Sequence, residues 1–348
     1  MVVSTTMSAS TGSPAKHPVP MILGAVIVVA LIGAMIWGIV ALATGGGSSP
    51  TGTGSGTAAA AGAPAESVLP DSTAMGAVQL RTTDLERLRA YYVDAIGLEL
   101  LDSTDTELSI GTAATNDAPA REIVRLILDD GLAADSLREA GLYHTAVLFP
   151  DAPALAEALM QIATVAPASY QGSADHAVSQ AFYFGDPDGN GVELYVDRPR
   201  DAWQWTDGRV TMGSAALDPN AFIEQHLGDA TAGAPLVGHV HLRVGDVEQA
   251  RAFYEGVLGF AVTSEVDGAI FFGAGGYHHH LAANTWQSAG AGRRPITAGL
   301  HIVEIELGNA SALADLVARA ESAGVVVTLI DGGVELPDPW GTVLRISA

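Results

Sequence analysis

Apolar and polar positions along the chain fall into four regimes. Residues 1–20, "MVVSTTMSASTGSPAKHPVP", are polar and rich in Ser, Thr and Pro, and residues 21–43, "MILGAVIVVALIGAMIWGIVALA", carry no charge at all. At 1.5 Å per residue such a run spans roughly 35 Å as a helix, enough to cross a hydrocarbon core of about 30 Å. A transmembrane helix is therefore expected at 21–43. A cleaved secretory signal is the alternative, with "ALA" at 41–43 as the small-residue site. Residues 44–74 are dense in Gly, Ser, Thr and Ala and read as a flexible linker, because such a composition buries too little to offset chain entropy.

From residue 76 the pattern changes to alternation followed by three-and-four spacing. "GAVQLRTTDLERLRAYYVDAIGLEL" (76–100) alternates as a strand, turns at Asp84, continues with helical spacing and ends at Gly97. It aligns without a gap on "GHVHLRVGDVEQARAFYEGVLGFAV" (238–262), so that Asp84/Asp246, Glu86/Glu248, Arg89/Arg251, Tyr92/Tyr254 and Gly97/Gly259 coincide. A second pair links 141–163 with 299–324, and both end on Asp-Pro-x-Gly turns that feed a last strand. Four strand–helix–strands units result, over 76–131, 141–199, 238–286 and 299–347. The expected organisation is two units in 75–199, an irregular connector in 200–235 with one short helix, and two units in 236–348. The fold class is α+β: curved, antiparallel-rich sheets with helices on their outer faces.

The strings "GLYHTAVLFP", "DHAVSQAFYFGDPDGNGVELYVDRP", "GHVHLRVGD" and "GGYHHHLAANTW" resemble the vicinal oxygen chelate superfamily of glyoxalases, bleomycin-resistance proteins and extradiol dioxygenases. Four βαβββ modules in one chain are similar to the ring-cleaving dioxygenases, in particular the catechol 2,3-dioxygenase type of Gram-positive bacteria. The resemblance covers nearly everything after residue 76; the apolar run and the linker lie outside it. It implies two sheet-lined cavities, a divalent metal, and a small aromatic diol with O2 as substrates.

Such modules offer ligands at the start of the first strand and the middle of the last. Aligning first strands on their turns makes Ala77, His144, His239 and Ile302 equivalent, while Glu193 and Arg345 are equivalent on the last strands. Modules 2 and 3 thus supply His144, Glu193 and His239, whereas modules 1 and 4 supply Ala77, Ile302 and Arg345, unable to hold a divalent cation, unless loop adjustment brings in Glu304 or Glu306 of module 4. His241, two residues on and on the same strand face as His239, is the competing ligand. Two imidazoles and one carboxylate with open positions form the facial triad of non-haem Fe(II) oxygenases, and the same set accepts Mn(II). The pairing departs from the usual extradiol arrangement, in which consecutive modules 3 and 4 share the site.

The resemblance further implies an acid/base histidine in the "HHHLA" string, which falls on His279, with His278 and His280 on the opposite strand face as substrate contacts or structural neighbours. A one-residue bulge would exchange these roles. It also implies catalytic parts for Tyr183, ten residues before Glu193, and for His176, with Asn284 and Trp286 lining the pocket. "DPDGNG" at 186–191 lacks the remaining ligands of a calcium loop and reads as a β-turn.

Composition narrows the partners. A formal charge of −23 with only 16 Lys and Arg argues against nucleic acid, whose affinity rests on clustered cations. The absence of cysteine excludes thiolate chemistry and metal–sulfur sites. Lys16 precedes the apolar run and no Lys or Arg follows before Arg81, which places the folded part outside the cytoplasm of a single-pass membrane protein. Homo-oligomerisation is left open. Two other functions stay open beside the dioxygenase: a metal-dependent isomerase of the glyoxalase type, disfavoured because the third module's last strand lacks a second acid, and a non-catalytic, membrane-anchored binding protein.

Overall fold

The computed structural model describes residues 62–115, 118–230 and 233–348. The expected membrane span lies outside the described residues; among them no helix is long and apolar enough to cross a membrane.

Each of the four sequence units folds as one strand, a helix and three strands. Module 1 comprises β1 (Ala74–Thr82), α1 (Leu85–Arg89), β2 (Glu99–Ser103), β3 (Glu107–Thr112) and β4 (Arg121–Leu128). Module 2 comprises β5 (Gly141–Leu148), α2 (Ala152–Val165), β6 (Tyr170–Asp175), β7 (Ser179–Gly185) and β8 (Gly191–Asp197). The connector holds the short strands β9 (Trp205–Thr206), β10 (Arg209–Val210) and β11 (Ala215–Ala216), then α3 (Pro219–His226). Module 3 comprises β12 (Leu236–Arg243), α4 (Val247–Phe253), β13 (Ala261–Val266), β14 (Ala269–Gly273) and β15 (Leu281–Asn284). Module 4 comprises β16 (Gly299–Glu306), α5 (Ala310–Ser322), β17 (Thr328–Ile330), β18 (Gly333–Pro337) and β19 (Val343–Ser347).

The turn residues seen in the sequence act as helix caps. Asp84, Asp151 and Asp246 each accept a backbone N–H three residues on, and Asn309 accepts those of Ser311 and Ala312. In modules 1 and 3 the helix widens into a π-helical turn, Ala90–Ala95 and Tyr254–Leu258. It stops at Gly97 and Gly259, whose φ values of 92° and 98° suit glycine. The two tyrosines of the sequence repeat lie in these turns. Tyr92 donates to Asp186 (3.0 Å) and Tyr254 to Asp338 (2.9 Å), tying module 1 to module 2 and module 3 to module 4. Asp186 also accepts from the backbones of Asp188 and Asn190, so "DPDGNG" is a carboxylate-closed turn.

Strand order shows which modules share a sheet. One sheet runs β11-β6-β7-β8-β5-β12-β15-β14-β13, joining modules 2 and 3; the other runs β17-β18-β19-β16-β1-β4-β3-β2, joining modules 4 and 1. At each centre the first strands pair antiparallel, β5 with β12 and β1 with β16. One apolar core, including Leu80, Leu126, Leu142, Leu194, Val240 and Leu344, is continuous across both sheets.

The linker ends earlier than its composition predicts. Residues 62–73 lie against the connector and modules 3 and 4: Gly62 and Ala65 bond Trp205 and Gly208, Val68 bonds Gly259, and the Ser72 hydroxyl donates to Leu307 (2.7 Å). The reason is Leu69, buried to 3% exposure, which supplies the burial that the Gly/Ser tract before it lacks.

Candidate metal centre

The sheet of modules 2 and 3 gathers its polar side chains by pairing. Across adjacent strands, Tyr183 pairs with Glu193, Glu193 with Ala146, and Ala146 with His239, giving one lateral row. Ala146, the smallest member, leaves the space above β5 open between Glu193 and His239. Register shifts on either side of this row set the remaining residues. One falls at Gly238, just before His239, and the other at Tyr143, just before His144. Such bulges re-aim neighbouring side chains. Gly238 is required there, because a Cβ would lie 1.8 Å from the Tyr195 hydroxyl.

Three donor atoms converge as a result. His144 Nε2 lies 3.0 Å and His239 Nε2 3.3 Å from Glu193 Oε2, and the two imidazole nitrogens are 3.3 Å apart. All three residues are buried. Ligands about 2.1 Å from one ion stand about 3.0 Å apart when octahedral and about 3.4 Å when tetrahedral, so the triangle matches one face of a bound cation. Charge points the same way. Burial drives His239 down to about 4, so its ring is neutral at neutral pH. Burial pushes the Glu193 carboxyl up, yet His239 and His144 outweigh it and hold it well below the usual carboxylate range. An ionised carboxylate beside a neutral imidazole, both buried, is an electrostatic deficit that a divalent cation relieves.

The other candidates form a shell around this triangle. His241 is buried beside it, its ring 4.9 Å from that of His144. Its Nε2 lies 2.9 Å from Asn284 Nδ2, a contact that makes the ring nitrogen the acceptor and occupies it with the amide. Burial holds His241 well below its ordinary value. Trp286 and Tyr143 stand edge to face at 5.5 Å, with His241 against both. Tyr183 contacts the His144 ring at 5.7 Å and shares a 2.7 Å hydrogen bond with His176 Nε2, whose Nδ1 meets Gly213 O at 2.8 Å. Burial, then Glu193 and Tyr143, raises the Tyr183 phenol well above its usual value.

The histidine triplet departs from the expected alternation. Strand β15 begins only at Leu281; residues 274–280 form an irregular entry in which Gly275 and Gly276 have φ of 56° and 66°. Without strand geometry the side chains of neighbours need not oppose each other. His278 Nδ1 and His279 Nδ1 lie 2.7 Å apart, so these two rings share one side rather than facing opposite ways. His279 reaches the centre, its ring 4.1 Å from His239. His280 instead turns toward Phe260 and Tyr277 and accepts from Ala274 N, away from the triangle. Asp197, Tyr143 and Tyr195 were not singled out from sequence. Period-two spacing on β8, Glu193–Tyr195–Asp197, carries the signal for the first and last.

Known proteins give this geometry its setting. A family model described as the Glyoxalase/Bleomycin resistance protein/Dioxygenase superfamily matches residues 74–194 and 236–335. A Bacillus subtilis (strain 168) protein named catechol-2,3-dioxygenase is 37% identical over 280 residues, covering 77% of this chain and 95% of that protein. The crystal structure of a candidate dioxygenase from Bacillus subtilis subsp. subtilis str. 168 superposes with a TM-score of 0.54 at 13% identity, over 81% of this chain and 85% of that one. At that identity the likeness concerns the fold.

Proposed function

The chain belongs to the Glyoxalase/Bleomycin resistance protein/Dioxygenase superfamily, and from that premise we propose that it is a metal-dependent extradiol dioxygenase. It inserts both atoms of O2 into a catechol-like ring beside the diol, with Fe(II) as the metal and Mn(II) as the substitute. The observation that carries the reading is the triangle of His144, Glu193 and His239, in a chain 37% identical to a protein named catechol-2,3-dioxygenase. Three donors on one face leave adjacent positions for a bidentate diol and for dioxygen. A glyoxalase-type isomerase, which shares this fold but uses a fourth protein ligand, finds no second carboxylate in the cluster among the described residues.

When bound, the metal supplies Lewis acidity that lowers the pKa of a coordinated phenol, and redox access to O2. The chain's own residues do the rest. Neutral His279, held well below its ordinary value by burial, is available to accept a proton from a substrate hydroxyl. Tyr183 keeps its proton and, through its bond to His176, presents a fixed hydroxyl beside the His144 ring. Trp286 and Tyr143 make an aromatic wall that suits a flat ring. Residues 21–43 are assigned to anchor the enzyme in a membrane, on hydropathy alone.

The test is anaerobic loading of the full chain with Fe(II) or Mn(II), followed by a panel of catechols in aerated buffer. Oxygen uptake of one mole per mole of diol, with a yellow ring-opened product, is the expected result. Metal-loaded protein that consumes no oxygen with any catechol contradicts the proposal.

A further inference from the structure

A hydrogen-bonded chain leads outward from His279 through residues outside the His144, Glu193 and His239 triangle. His279 meets His278 nitrogen to nitrogen at 2.7 Å, and His278 Nε2 lies 2.9 Å from Asp197 Oδ1. Exposure rises outward along it: the His278 side chain is fully buried, whereas that of Asp197 is 21% exposed. Asp197 opens onto a surface cavity of about 500 Å³ lined also by Phe149, Arg198, Pro199 and Arg200. His278 is held in place by rings on two sides, Tyr277 at 4.2 Å and Trp203 at 5.1 Å, and the Arg200 guanidinium lies over both of those rings. Thr263 donates to its backbone carbonyl.

Donor and acceptor rules fix the hydrogens. A carboxylate only accepts, so His278 Nε2 must carry the hydrogen. With its one hydrogen on Nε2, His278 offers its Nδ1 lone pair, and the 2.7 Å contact is then made by His279 Nδ1–H as donor. The second nitrogen of His279, Nε2, is thereby left with a lone pair. Second partners of this kind decide which nitrogen of an imidazole is available.

We propose that Asp197 is a positioning residue: through His278 it fixes the tautomer of His279, so that Nε2 is the acceptor presented to a substrate hydroxyl. The catalytic use of that acceptor rests on the dioxygenase reading above; the tautomer itself does not. Asp197→Leu removes the anchor, Asp197→Asn offers an amide that can donate instead, and Asp197→Glu restores a carboxylate.

Nitrogen-15 spectra of histidine-labelled, metal-free full chain give the direct readout, with His278→Gln and His279→Gln assigning the signals. The native protein is expected to show His279 protonated at Nδ1, the Asp197→Leu and Asp197→Asn variants a mixture of tautomers, and Asp197→Glu a return toward the native state. In metal-loaded enzyme, Asp197→Leu should lower kcat roughly 10-fold or more, the scale of outer partners, with KM within about twofold and metal content unchanged. His279 protonated at Nε2 in the native protein, or a tautomer indifferent to Asp197→Leu, overturns the proposal. So does loss of metal in that variant, which would make Asp197 a structural support. The predicted tautomers in a protein with no oxygenase activity would overturn the dioxygenase reading and leave the tautomer assignment standing.

Discussion

The two sheets are built alike and differ in what stands on their central strands. In the sheet of modules 2 and 3 the lateral row is Tyr183, Glu193, Ala146 and His239. In the sheet of modules 4 and 1 the equivalent row is Glu335, Arg345, Glu304 and, by the sequence repeat, Ala77. The register shifts recur too, beside Gly76 and His301 in one sheet as beside Gly238 and Tyr143 in the other. Where Ala146 leaves space, Glu304 fills it, accepting from Gln79 Nε2 (2.7 Å) and from Arg345 (3.2 Å), which also grips Glu335 at 2.7 Å. One sheet therefore concentrates unbalanced lone pairs on buried side chains. The other pairs both of its carboxylates with one arginine, Arg345, where a ligand would be. The backbone builds the same strand arrangement twice, and among the described residues the side chains of one sheet alone gather a His/Glu/His group able to hold a metal ion.

The largest effect should come from Glu193→Ala, which leaves two imidazoles and no carboxylate for the cation. Metal affinity should fall by more than the roughly 100-fold upper range of outer-partner losses, read by equilibrium dialysis. Retention of near-native affinity would break the contrast between the sheets.

Acid should act on the same sheet next. His239 is depressed to about 4 and His280 to about 3 by burial, against about 6.5 unfolded. The unfolded chain thus binds these protons first, and stability present above pH 6.5 is lost as pH falls toward 4. The melting temperature of metal-free protein should drop steeply across that window, by an amount equivalent to a few kcal/mol. Excess divalent metal should hold it up until the ligands protonate. A flat profile from pH 7 to 4.5 would contradict the buried neutral state.

Gly238→Ala comes third. Its Cβ would strike the Tyr195 hydroxyl, which bonds Tyr277 at 2.8 Å, so overpacking should cost about 1–3 kcal/mol in chemical denaturation and weaken metal binding by moving His239. The smallest effect belongs to Arg345→Ala. Its pairs are partly solvent-screened, so a loss below about 1 kcal/mol is expected, with metal content unchanged. Loss of metal in that variant would place a ligand role in the wrong sheet.

The repeat made much of this readable beforehand. Caps at Asp84, Asp151 and Asp246, the glycine stops and the four βαβββ units follow from local pattern and need no tertiary information. The convergence of His144, Glu193 and His239 was legible because equivalent positions in a repeat share a place in space. What stayed hidden depends on contacts between units. The His278–His279 contact arises because a glycine turn delays β15 to Leu281, and alternation cannot be read where no strand exists. Asp197 matters only because module 3 brings His278 to it. Residues 62–73 look like linker until Leu69 finds the folded units.

The central claim is that modules 2 and 3 alone build one divalent-metal centre. The direct measurement is Fe(II) or Mn(II) stoichiometry of the full chain after anaerobic loading, beside Glu193→Ala and Arg345→Ala. One ion per chain in the native protein and in Arg345→Ala, with none in Glu193→Ala, is the predicted result. Two ions per chain, or one retained without the Glu193 carboxylate, would contradict it.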